Sequence, residues 1–441
     1  MPRAKSHASS TSAGSTEPVL VLPPKGQGFK KTICIIGAGA SGLGAAKELT
    51  NLGHKVMIFE QNIRIGGVYA VSYDNTMLTT SSILTAYSDY STGLENKPKF
   101  YSDEEYLEYL DAYSHKFGLY DHIQFRSEVT KATKCPKSGK WVVTVKDGAY
   151  TCPHRATYLL GSAHSQKLRD YAKNDLGKRS LEDFFGKAEE QGFKNIKDTY
   201  EYTYVDHTTG EEVTMTAQDK RTETTYLFDS LVVCSGTNKF AIMPHFAGEE
   251  RFQGPIVHTN DYKKPEIYHG KRVLIIGAGE SGSDICNEIA SCASKVCIVA
   301  RGKHGHIIPR KQSDGRVTDL NTNRCRYSNP YIFGDWVGWA NQHAKRFVSQ
   351  YGDDSTEEER RILSKIGELN LSQKTSAFSK FGCKNEGFVI AMVTKGAELH
   401  RDGFRLEENK AVFEDGSEFI CDAVVACTGY VNAFAFWEHP D

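Results

Sequence analysis

Two segments of this chain share one pattern of apolar and polar positions. In the first, a short apolar run over 33–36 ends in the glycine-rich sequence GAGASG, and an alanine-rich helical stretch over 43–52 follows. A second apolar run over 55–59 then ends in Glu60. Apolar runs of this length predict buried strands, and the order strand, helix, strand predicts a parallel βαβ unit.

The glycines of this first unit have the spacing of a dinucleotide-binding turn. Gly37 allows the tight turn from strand to helix, Gly39 lets a pyrophosphate approach the backbone, and Gly42 lets the helix pack closely on the strand. The N-terminus of the helix offers free N–H groups to the phosphates. Glu60 is placed to accept hydrogen bonds from a ribose diol, so the sequence predicts a dinucleotide site. The alternative is a structural turn in some other α/β unit.

The segment 271–301 repeats this unit with the sequence GAGESG, whose glycines are Gly277, Gly279 and Gly282. This copy ends its second strand in Arg301, where the first copy ends in an acid. A carboxylate repels a ribose 2′-phosphate, whereas a guanidinium pairs with it through two hydrogen bonds. We therefore expect a plain ribose at the first site and NADP at the second, unless Arg301 is only a solvated charge at a strand end. The first site is therefore assigned to FAD, which has a plain ribose, and the second to NADPH. This pair of cofactors implies hydride transfer from nicotinamide to flavin.

The repeat predicts an α/β fold with two Rossmann-like dinucleotide-binding domains. Each unit is followed by an acidic residue, an apolar strand and a turn of small residues, at 225–236 and at 418–430. An amphipathic helix is predicted over 100–117, and strands are predicted over 387–397 and 404–413. The predicted boundaries are a disordered tail over 1–28, an FAD domain over 29–240 with an elaboration over 150–226, an NADPH domain over 241–425, and a return to the FAD domain over 426–441.

Composition narrows the functional classes. The net charge is −1 and no basic cluster is present, which argues against a nucleic-acid partner. No apolar run reaches the length of a transmembrane helix. The eleven cysteines form no CxxC pair, which favours buried thiols in a reducing compartment over disulfides or zinc. We therefore expect a cytoplasmic protein, although the basic, serine-rich tail leaves organelle targeting open.

The linker between the two units carries a further pattern. Its motif residues are Phe252, Gly254, His258 and Tyr262. Their spacing, FxGxxxHxxx(Y/F), resembles the identifying motif of flavin-containing monooxygenases, whereas the related Baeyer–Villiger enzymes usually have Trp where Tyr262 stands. His258 is interpreted as a hinge residue that bonds the backbone, with a role as general acid or base as the alternative. Further matches of the family's kind are Gly66-Gly67, Tyr87-Ser88-Asp89-Tyr90, Cys234-Ser235-Gly236 and Cys427-Thr428-Gly429-Tyr430.

The resemblance implies an NADPH- and O₂-dependent flavin monooxygenase. In such enzymes NADPH reduces FAD, the reduced flavin and O₂ form a C4a-hydroperoxide, and one oxygen atom passes to a soft nucleophilic nitrogen or sulfur of a small molecule. The implied FAD contacts are Gly37, Gly39, Ala40, Ser41, Gly42, Glu60, Gln61, Gly67, Val68, Tyr69 and Val129. The implied NADP contacts are Ser235, Gly277, Gly279, Glu280, Ser281, Gly282 and Arg301. A homodimer is left open.

Two positions depart from the family pattern. Thr79 stands where many members have Asn near the reactive edge of the flavin, so it is either a catalytic hydrogen-bonding residue or an ordinary loop residue. Few residues follow Tyr430, where the family continues with a segment that closes over the flavin, so we expect either a fragment or an open site that leaks peroxide.

Several alternatives therefore stay open. They are an uncoupled NADPH oxidase, a Baeyer–Villiger or N-hydroxylating monooxygenase, and a truncated, non-catalytic dinucleotide-binding protein. A dithiol reductase is disfavoured, because residues 61–78 contain no cysteine.

Overall fold

The computed structural model describes residues 30–94, 97–147, 199–205, 212–218, 222–300, 307–311, 317, 356–372, 383–431 and 434–437. The predicted tail over 1–28, most of the predicted elaboration over 150–226 and Arg301 lie outside these residues. The described residues form two α/β halves, each built on a parallel sheet.

The first half begins with the predicted βαβ unit. Its elements are β1 (Thr32–Ile36), α1 (Ala40–Asn51), β2 (Lys55–Phe59), a 3₁₀ turn (Gly67–Val71), β3 (Met77–Ser81), α2 (Ser82–Thr85), β4 (Phe100–Ser102), α3 (Asp103–Lys116), a 3₁₀ turn (Leu119–His122), β5 (Ile123–Gln124), β6 (Ser127–Lys134), β7 (Trp141–Asp147), β8 (Thr199–Val205), β9 (Glu212–Gln218), β10 (Thr222–Phe228), β11 (Ser230–Val233) and β12 (Phe240–Ala241). The parallel sheet has the order β11-β1-β2-β5.

This parallel sheet is covered on both faces. Ile35 packs with Leu43 of α1 in one core cluster. Ile36 lies on the opposite face and packs with Val143 and Val145 of the antiparallel sheet β10-β7-β6. The βαβ prediction is confirmed, since β1 and β2 pair in parallel with α1 between them in the chain. Strands that are buried on both faces appear in a sequence as continuous apolar runs, which explains why the pattern identified them.

Helix α3 confirms the predicted amphipathic helix. The hydroxyl of Ser102 accepts a hydrogen bond from the backbone N–H of Glu105, and the Glu105 carboxylate accepts one from the N–H of Ser102, both at 3.2 Å. This reciprocal capping box satisfies two N–H groups that the first turn of a helix leaves unpaired. The helix thereby starts at a defined residue beside the first sheet.

The second half repeats the architecture. Its elements are a 3₁₀ turn (Glu249–Arg251), β13 (Ile256–His258), a 3₁₀ turn (Pro265–Tyr268), β14 (Arg272–Ile276), α4 (Glu280–Ile289), β15 (Lys295–Val299), α5 (Glu357–Leu371), α6 (Gly387–Lys395), β16 (Glu398–His400), β17 (Phe404–Glu407), β18 (Lys410–Phe413), β19 (Glu418–Ile420), β20 (Ala423–Ala426) and β21 (Tyr430–Val431). The parallel sheet has the order β13-β20-β14-β15-β16, and β17-β18-β19 form an antiparallel sheet beside it.

The strand predicted over 387–397 is wrong. Most of this segment is helix α6, which packs against α4 and buries Phe388 and Val389 completely. A short apolar run is consistent with either a buried strand or a buried helix, so periodicity alone does not separate them. Gly396, with φ of +71°, ends the helix in the left-handed conformation that glycine adopts without strain. The strand predicted over 404–413 is instead the hairpin of β17 and β18.

The acid that precedes each apolar strand has one role in both halves. A carboxylate oxygen of Asp229 accepts a hydrogen bond from the N–H of Thr32 at 2.8 Å. A carboxylate oxygen of Asp422 accepts one from the N–H of Arg272 at 2.7 Å. Hydrogen bonds from the N–H and the hydroxyl of Thr32, together with one from Lys140, lower the pKa of Asp229 to about 2. Each acid thus fixes where β11 or β20 begins alongside the central strand of its sheet.

Residues 434–437 pack against the first half. Phe436 is buried in the core cluster that contains Ile36 and Phe59, and its carbonyl accepts a hydrogen bond from the N–H of Ala132 at 2.6 Å. This contact agrees with the predicted return of residues 426–441 to the FAD domain. The domain boundaries themselves stay predictions. Among the described helices, none is long and apolar enough to cross a membrane.

Candidate functional site

The first glycine turn lies where β1 meets α1. Gly37 has φ of +99°, and a Cβ on it would lie 2.6 Å from the carbonyl oxygen of Cys234. A Cβ on Gly42 would lie 1.9 Å from the carbonyl oxygen of Gly37. The fold itself therefore requires both glycines. A Cβ on Gly39 would meet only the backbone of Gly67, with Cα at 3.5 Å and N at 3.8 Å, so the fold tolerates a side chain there and the missing Cβ leaves space for a ligand.

A cavity of about 310 Å³ opens at this turn, beyond the carboxyl ends of β1 and β2. It is lined by these residues of the predicted FAD set: Gly37, Gly39, Ala40, Ser41, Glu60, Gln61, Gly67, Val68, Tyr69 and Val129. Gly42, the remaining member of that set, lies beneath the turn rather than on the cavity wall. The crevice at the carboxyl ends of parallel strands is where ligands bind in open α/β sheets.

The start of α1 fits a pyrophosphate. Gly39 is the N-cap, and no side chain caps the helix there. The first turn of α1 contains no acidic residue, so nothing opposes an anion at the positive end of the helix dipole. Unpaired N–H groups and a bare glycine backbone together form the cradle that a dinucleotide phosphate needs.

Glu60 fixes the walls of the cavity. It is 3% exposed, and its two carboxylate oxygens accept hydrogen bonds from the N–H groups of Ala38 and Asn62, each at 2.8 Å. The predicted bond to a ribose diol stays a prediction, and it is compatible with these bonds because each carboxylate oxygen has two acceptor positions. The acid therefore holds the glycine turn whether or not it also holds a sugar.

The structure brings further residues to this cavity that the sequence did not assign to it. Ser235 was placed in the NADP set, but it lines the first cavity, because β11 pairs with β1 and ends beside the first glycine turn. Phe436 and Asn260 also line the cavity from distant parts of the chain. Only the CSG match at 234–236 gave a sequence signal, and it did not say which unit it served. Thr79 is half-buried in β3 and does not line the cavity, so its predicted catalytic role has no contact to support it.

The second glycine turn repeats the geometry of the first. Gly277 has φ of +106°, and a Cβ on it would lie 2.4 Å from the carbonyl oxygen of Cys427. A Cβ on Gly282 would lie 1.9 Å from the carbonyl oxygen of Gly277. A Cβ on Gly279, the uncapped N-cap of α4, would meet no atom within 4 Å. The second turn therefore has the same open backbone geometry but differs in its first helical turn, which contains the acid Glu280 beside Ser281.

Two predicted NADP residues have separate outcomes. The carboxylate of Glu280 accepts a hydrogen bond from the N–H of Lys384 at 2.7 Å, so it braces the loop before α6. Burial raises the pKa of Glu280. Arg301 lies outside the described residues, so the NADPH preference assigned to it stays a prediction.

Asn385 holds the start of α4 from the neighbouring segment and is fully buried. Its Nδ2 donates hydrogen bonds to the carbonyl of Glu280 at 3.0 Å and to Asp284 Oδ1 at 2.6 Å. Its Oδ1 accepts hydrogen bonds from the N–H of Gly387 at 2.9 Å and from Arg310 Nη1 at 3.3 Å. This one amide therefore aligns α4, α6 and the strand-like segment at 307–311.

The linker motif shapes the path between the two halves. A Cβ on Gly254 would lie 2.3 Å from the carbonyl oxygen of Asp422 and 2.8 Å from the ring of Phe252, so the motif needs glycine there. His258 is 3% exposed, and its Nδ1 accepts a hydrogen bond from the N–H of Asn260 at 3.0 Å. Burial lowers the pKa of His258, which favours the neutral ring. His258 does not line the cavity, and these contacts support the hinge interpretation.

Tyr262 and Lys263 join the two halves. The hydroxyl of Tyr262 donates a hydrogen bond to a carboxylate oxygen of Glu288 in α4 at 2.7 Å. Lys263 Nζ donates one to the carbonyl of Val71, at the end of the 3₁₀ turn Gly67–Val71, at 2.8 Å. The motif therefore connects the turn that lines the first cavity to the helix that follows the second glycine turn.

Glu288→Gln is expected to flatten the pH dependence of stability. Burial raises the pKa of Glu288 to about 8, helped by the charges of Asp284, Asp74 and Glu266 and opposed by the bond from Tyr262. Because the folded pKa lies above the ordinary value, the stability that Glu288 contributes is complete at acidic pH and is lost as pH rises through about 8. Glutamine keeps an acceptor for Tyr262 but does not titrate.

Thermal unfolding between pH 5 and pH 9 measures this effect. The Tm of the wild type should fall by about 2–4 °C more than that of Glu288→Gln over this range. Glu358→Gln, a change at an exposed position of α5, should follow the wild type. Equal slopes for Glu288→Gln and the wild type would show that Glu288 does not hold its proton in the folded state.

The described part of the chain contains no ready-made metal site. No group of three or more His, Cys, Asp or Glu side chains is placed there to hold a metal ion. The cysteines of the described residues are free, and burial raises the pKa of Cys234 and Cys427 beside the two glycine turns. These thiols are packing groups at neutral pH.

Proteins of known activity resemble this chain over most of its length. The 4-hydroxybenzoate brominase (decarboxylating) of Pseudoalteromonas luteoviolacea is 30% identical over 425 residues, and flavin-containing monooxygenase 5 of Cavia porcellus is 27% identical over 427 residues. The matches cover 92% and 93% of this chain but 64% and 63% of the relatives. The chain thus spans less than two thirds of the length of the curated relatives that it matches.

A solved structure of similar fold is that of an oxidized steroid monooxygenase bound to NADP. It superposes with a TM-score of 0.52 and 18% sequence identity, and the match covers 91% of this chain and 71% of that one. At this level of identity the likeness shows the fold alone. It confirms the predicted α/β class with two dinucleotide-binding domains.

The family match covers both glycine turns and the linker between them. A family described as flavin-binding monooxygenase-like matches residues 30–154 and 193–440, which is more than half of the chain. The match leaves out part of the predicted elaboration over 150–226. It confirms the resemblance drawn from the linker motif, and the chain belongs to the flavin-binding monooxygenase-like family.

Proposed function

We propose that this chain is an FAD- and NADPH-dependent monooxygenase that transfers one oxygen atom to a soft nucleophilic nitrogen or sulfur of a small molecule. The single observation that carries the proposal is the pair of open glycine cradles in one chain of this family. Family membership supports FAD and NADPH as the cofactors. A small-molecule substrate and O₂ complete the proposed set of reactants, and a homodimer remains a prediction.

Residues at the two turns have distinct roles in this proposal. Gly39 and the start of α1 hold the pyrophosphate of FAD, and Glu60 keeps the turn in shape. Gly279 and the start of α4 hold the pyrophosphate of NADPH. When bound, FAD would supply a hydride acceptor for NADPH and, in its reduced state, the group that activates O₂.

The described cavity offers little acid–base chemistry. Its ionisable lining side chains are Glu60, Tyr69, Glu128, Cys234 and Lys239. The two oxygens of Glu60 accept hydrogen bonds from backbone N–H groups. Burial raises the pKa of Tyr69 and of Cys234, so this phenol and this thiol are protonated at neutral pH. This composition suits a reaction in which the cofactor supplies the reactive group and the protein binds, orients and excludes water.

The choice of nitrogen or sulfur rests on the motif residue at position 262. The related Baeyer–Villiger enzymes usually carry Trp there, and this chain carries Tyr. The relatives themselves span different outcomes, since one is a brominase and another a flavin-containing monooxygenase. A test must therefore compare several acceptors of oxygen.

The proposed activity predicts a stoichiometry. With FAD-loaded protein, NADPH and a dialkyl thioether or tertiary amine, NADPH consumed, O₂ consumed and oxygenated product should be equal within about a fifth, with little peroxide. Controls replace the substrate with a cyclic ketone or with 4-hydroxybenzoate plus bromide. Lactone or brominated product with no sulfoxide or N-oxide would contradict the nitrogen or sulfur assignment. Peroxide equal to NADPH for every substrate would identify an oxidase.

A further inference from the structure

The inner face of α3 is built from tyrosines. Tyr106, Tyr109 and Tyr113 are 4%, 8% and 1% exposed. Phenylalanine would fill the same space without the cost of removing a hydroxyl from water. The hydroxyl of Tyr109 donates a hydrogen bond to the carbonyl of Tyr90 at 2.7 Å, so this phenol is held in a defined position. Packing alone does not require this chemistry.

These rings form a continuous path away from the cavity. Tyr69 lines the cavity, and its ring centroid lies 4.9 Å from that of Tyr106. The centroids of Tyr106 and Tyr109 are 5.9 Å apart, and those of Tyr109 and Tyr90 are 5.3 Å apart. Tyr90 is half-buried and is followed by the exposed Ser91. We name Tyr69, Tyr106, Tyr109 and Tyr90 the tyrosine relay.

Further phenols support the relay from its sides. Tyr87 lies 4.1 Å from Tyr113 and 6.0 Å from Tyr109 between centroids, and Tyr90 lies 5.5 Å from Tyr113. The hydroxyl of Tyr87 donates a hydrogen bond to the carbonyl of Ala40 in the first turn of α1 at 2.5 Å. The phenol cluster is therefore anchored to the same helix end that lines the cavity.

We infer that the tyrosine relay conducts one-electron oxidising equivalents from the flavin cavity to the protein surface. The inference rests on the proposed function, since a flavin that reacts with O₂ releases peroxide whenever turnover is uncoupled. Reduced iron supplied from solution converts peroxide to an oxidant of the hydroxyl-radical class. A route that carries the oxidising equivalent to the surface protects the cofactor and the cavity wall from oxidation.

The steps balance in atoms and electrons. Hydroxyl radical takes one electron and one proton from the hydroxyl of Tyr69, which gives water and a Tyr69 phenoxyl radical. Tyr106 then passes one electron and one proton to Tyr69, and the same exchange repeats from Tyr109 and from Tyr90. A thiol in solution finally gives a hydrogen atom to the Tyr90 radical and becomes a thiyl radical. Burial raises the pKa of Tyr69, Tyr106 and Tyr109, so each is a protonated phenol that must release a proton with its electron.

Blue light tests the relay in the FAD-loaded protein, because excited flavin is itself a one-electron oxidant. Transfer of one electron and one proton from Tyr69 to the excited flavin gives a neutral flavin radical and a Tyr69 phenoxyl radical. A spin trap is present, and peptide mass spectrometry locates the adduct. In the wild type the adduct should lie mainly on Tyr90. In Tyr106→Phe and Tyr109→Phe, which keep the rings, the Tyr90 adduct should fall at least threefold.

Tyr268→Phe is the matched control, since this buried phenol lies in the second half, outside the relay. Its Tyr90 adduct should equal that of the wild type. An unchanged Tyr90 adduct in Tyr106→Phe and Tyr109→Phe would overturn the relay. The flavin absorbance and the product assay report on the proposed function separately, so oxygenation without relay transfer refutes the relay alone. A protein that binds no flavin refutes both.

Discussion

Gly39→Ala should abolish tight FAD binding while the protein stays folded. A Cβ at this position meets only the backbone of Gly67, at ordinary contact distance, so the fold accepts it. The added methyl group projects into the cradle where the pyrophosphate must touch the backbone. We expect the Kd for FAD to rise by about 100-fold or more, which corresponds to about 2.7 kcal/mol. The purified variant should be colourless, with a Tm within about 2 °C of the wild-type apoprotein.

Gly279→Ala provides the reciprocal control. A Cβ there meets no atom within 4 Å, so this variant should fold, bind FAD and stay yellow. Its affinity for NADPH should fall by a similar factor of about 100. Calorimetric titration of both variants with both dinucleotides gives the full comparison, with the wild-type apoprotein as the reference for NADP⁺ binding by Gly39→Ala. If Gly39→Ala lost NADPH and kept FAD, the assignment of the two sites would be reversed.

Asn385→Ala should destabilise the second half and weaken NADPH binding together. The amide makes four hydrogen bonds in a fully buried position. Its removal leaves the carboxylate of Asp284 and the N–H of Gly387 with fewer partners away from water, and a loss of buried partners of this kind costs about 3 kcal/mol or more. We expect Tm to fall by about 5–10 °C and the KM for NADPH to rise.

Ser283→Ala is the control that distinguishes the loss of the Asn385 amide from the loss of a single neighbouring hydrogen bond. The Ser283 hydroxyl donates one hydrogen bond to the carbonyl of Asn385 at 3.2 Å, so its loss should cost about 1 kcal/mol. Unfolding curves and initial rates with NADPH as the varied substrate measure both variants. If Asn385→Ala and Ser283→Ala had equal effects, the amide would not be the residue that aligns α4 with α6.

The two cradles were predictable because their signals are local. Gly37, Gly39 and Gly42 lie within one turn, and steric demand acts between near neighbours, so spacing alone identifies their roles. The apolar runs around them gave the strands for the same reason. The second copy then confirmed the first through repetition within one chain, with Gly277 and Gly282 meeting the same kind of carbonyl.

The rest of the site depends on contacts between distant segments. Ser235 reaches the first cavity because β11 pairs with β1, and nothing in its local sequence says which sheet β11 will join. Phe436 enters the cavity wall from the far end of the described chain. The segment of helix α6 favours a strand in the sequence because its apolar run 388–393 has no polar face to reveal a helical period. Sequence therefore predicted the cradles and many of the residues that line the first cavity, and it missed those that distant segments bring there, such as Asn260 and Phe436.

Lys263 is part of the contact between the two halves. It is 6% exposed, belongs to the linker, and donates its hydrogen bond to the 3₁₀ turn that lines the first cavity. Its neighbour Tyr262 is bonded to α4, so the linker contacts an element of each half. If occupancy of one cradle changes affinity at the other, linkage requires the effect to be reciprocal and of the same factor. The linker motif is the element through which such heterotropic coupling would pass.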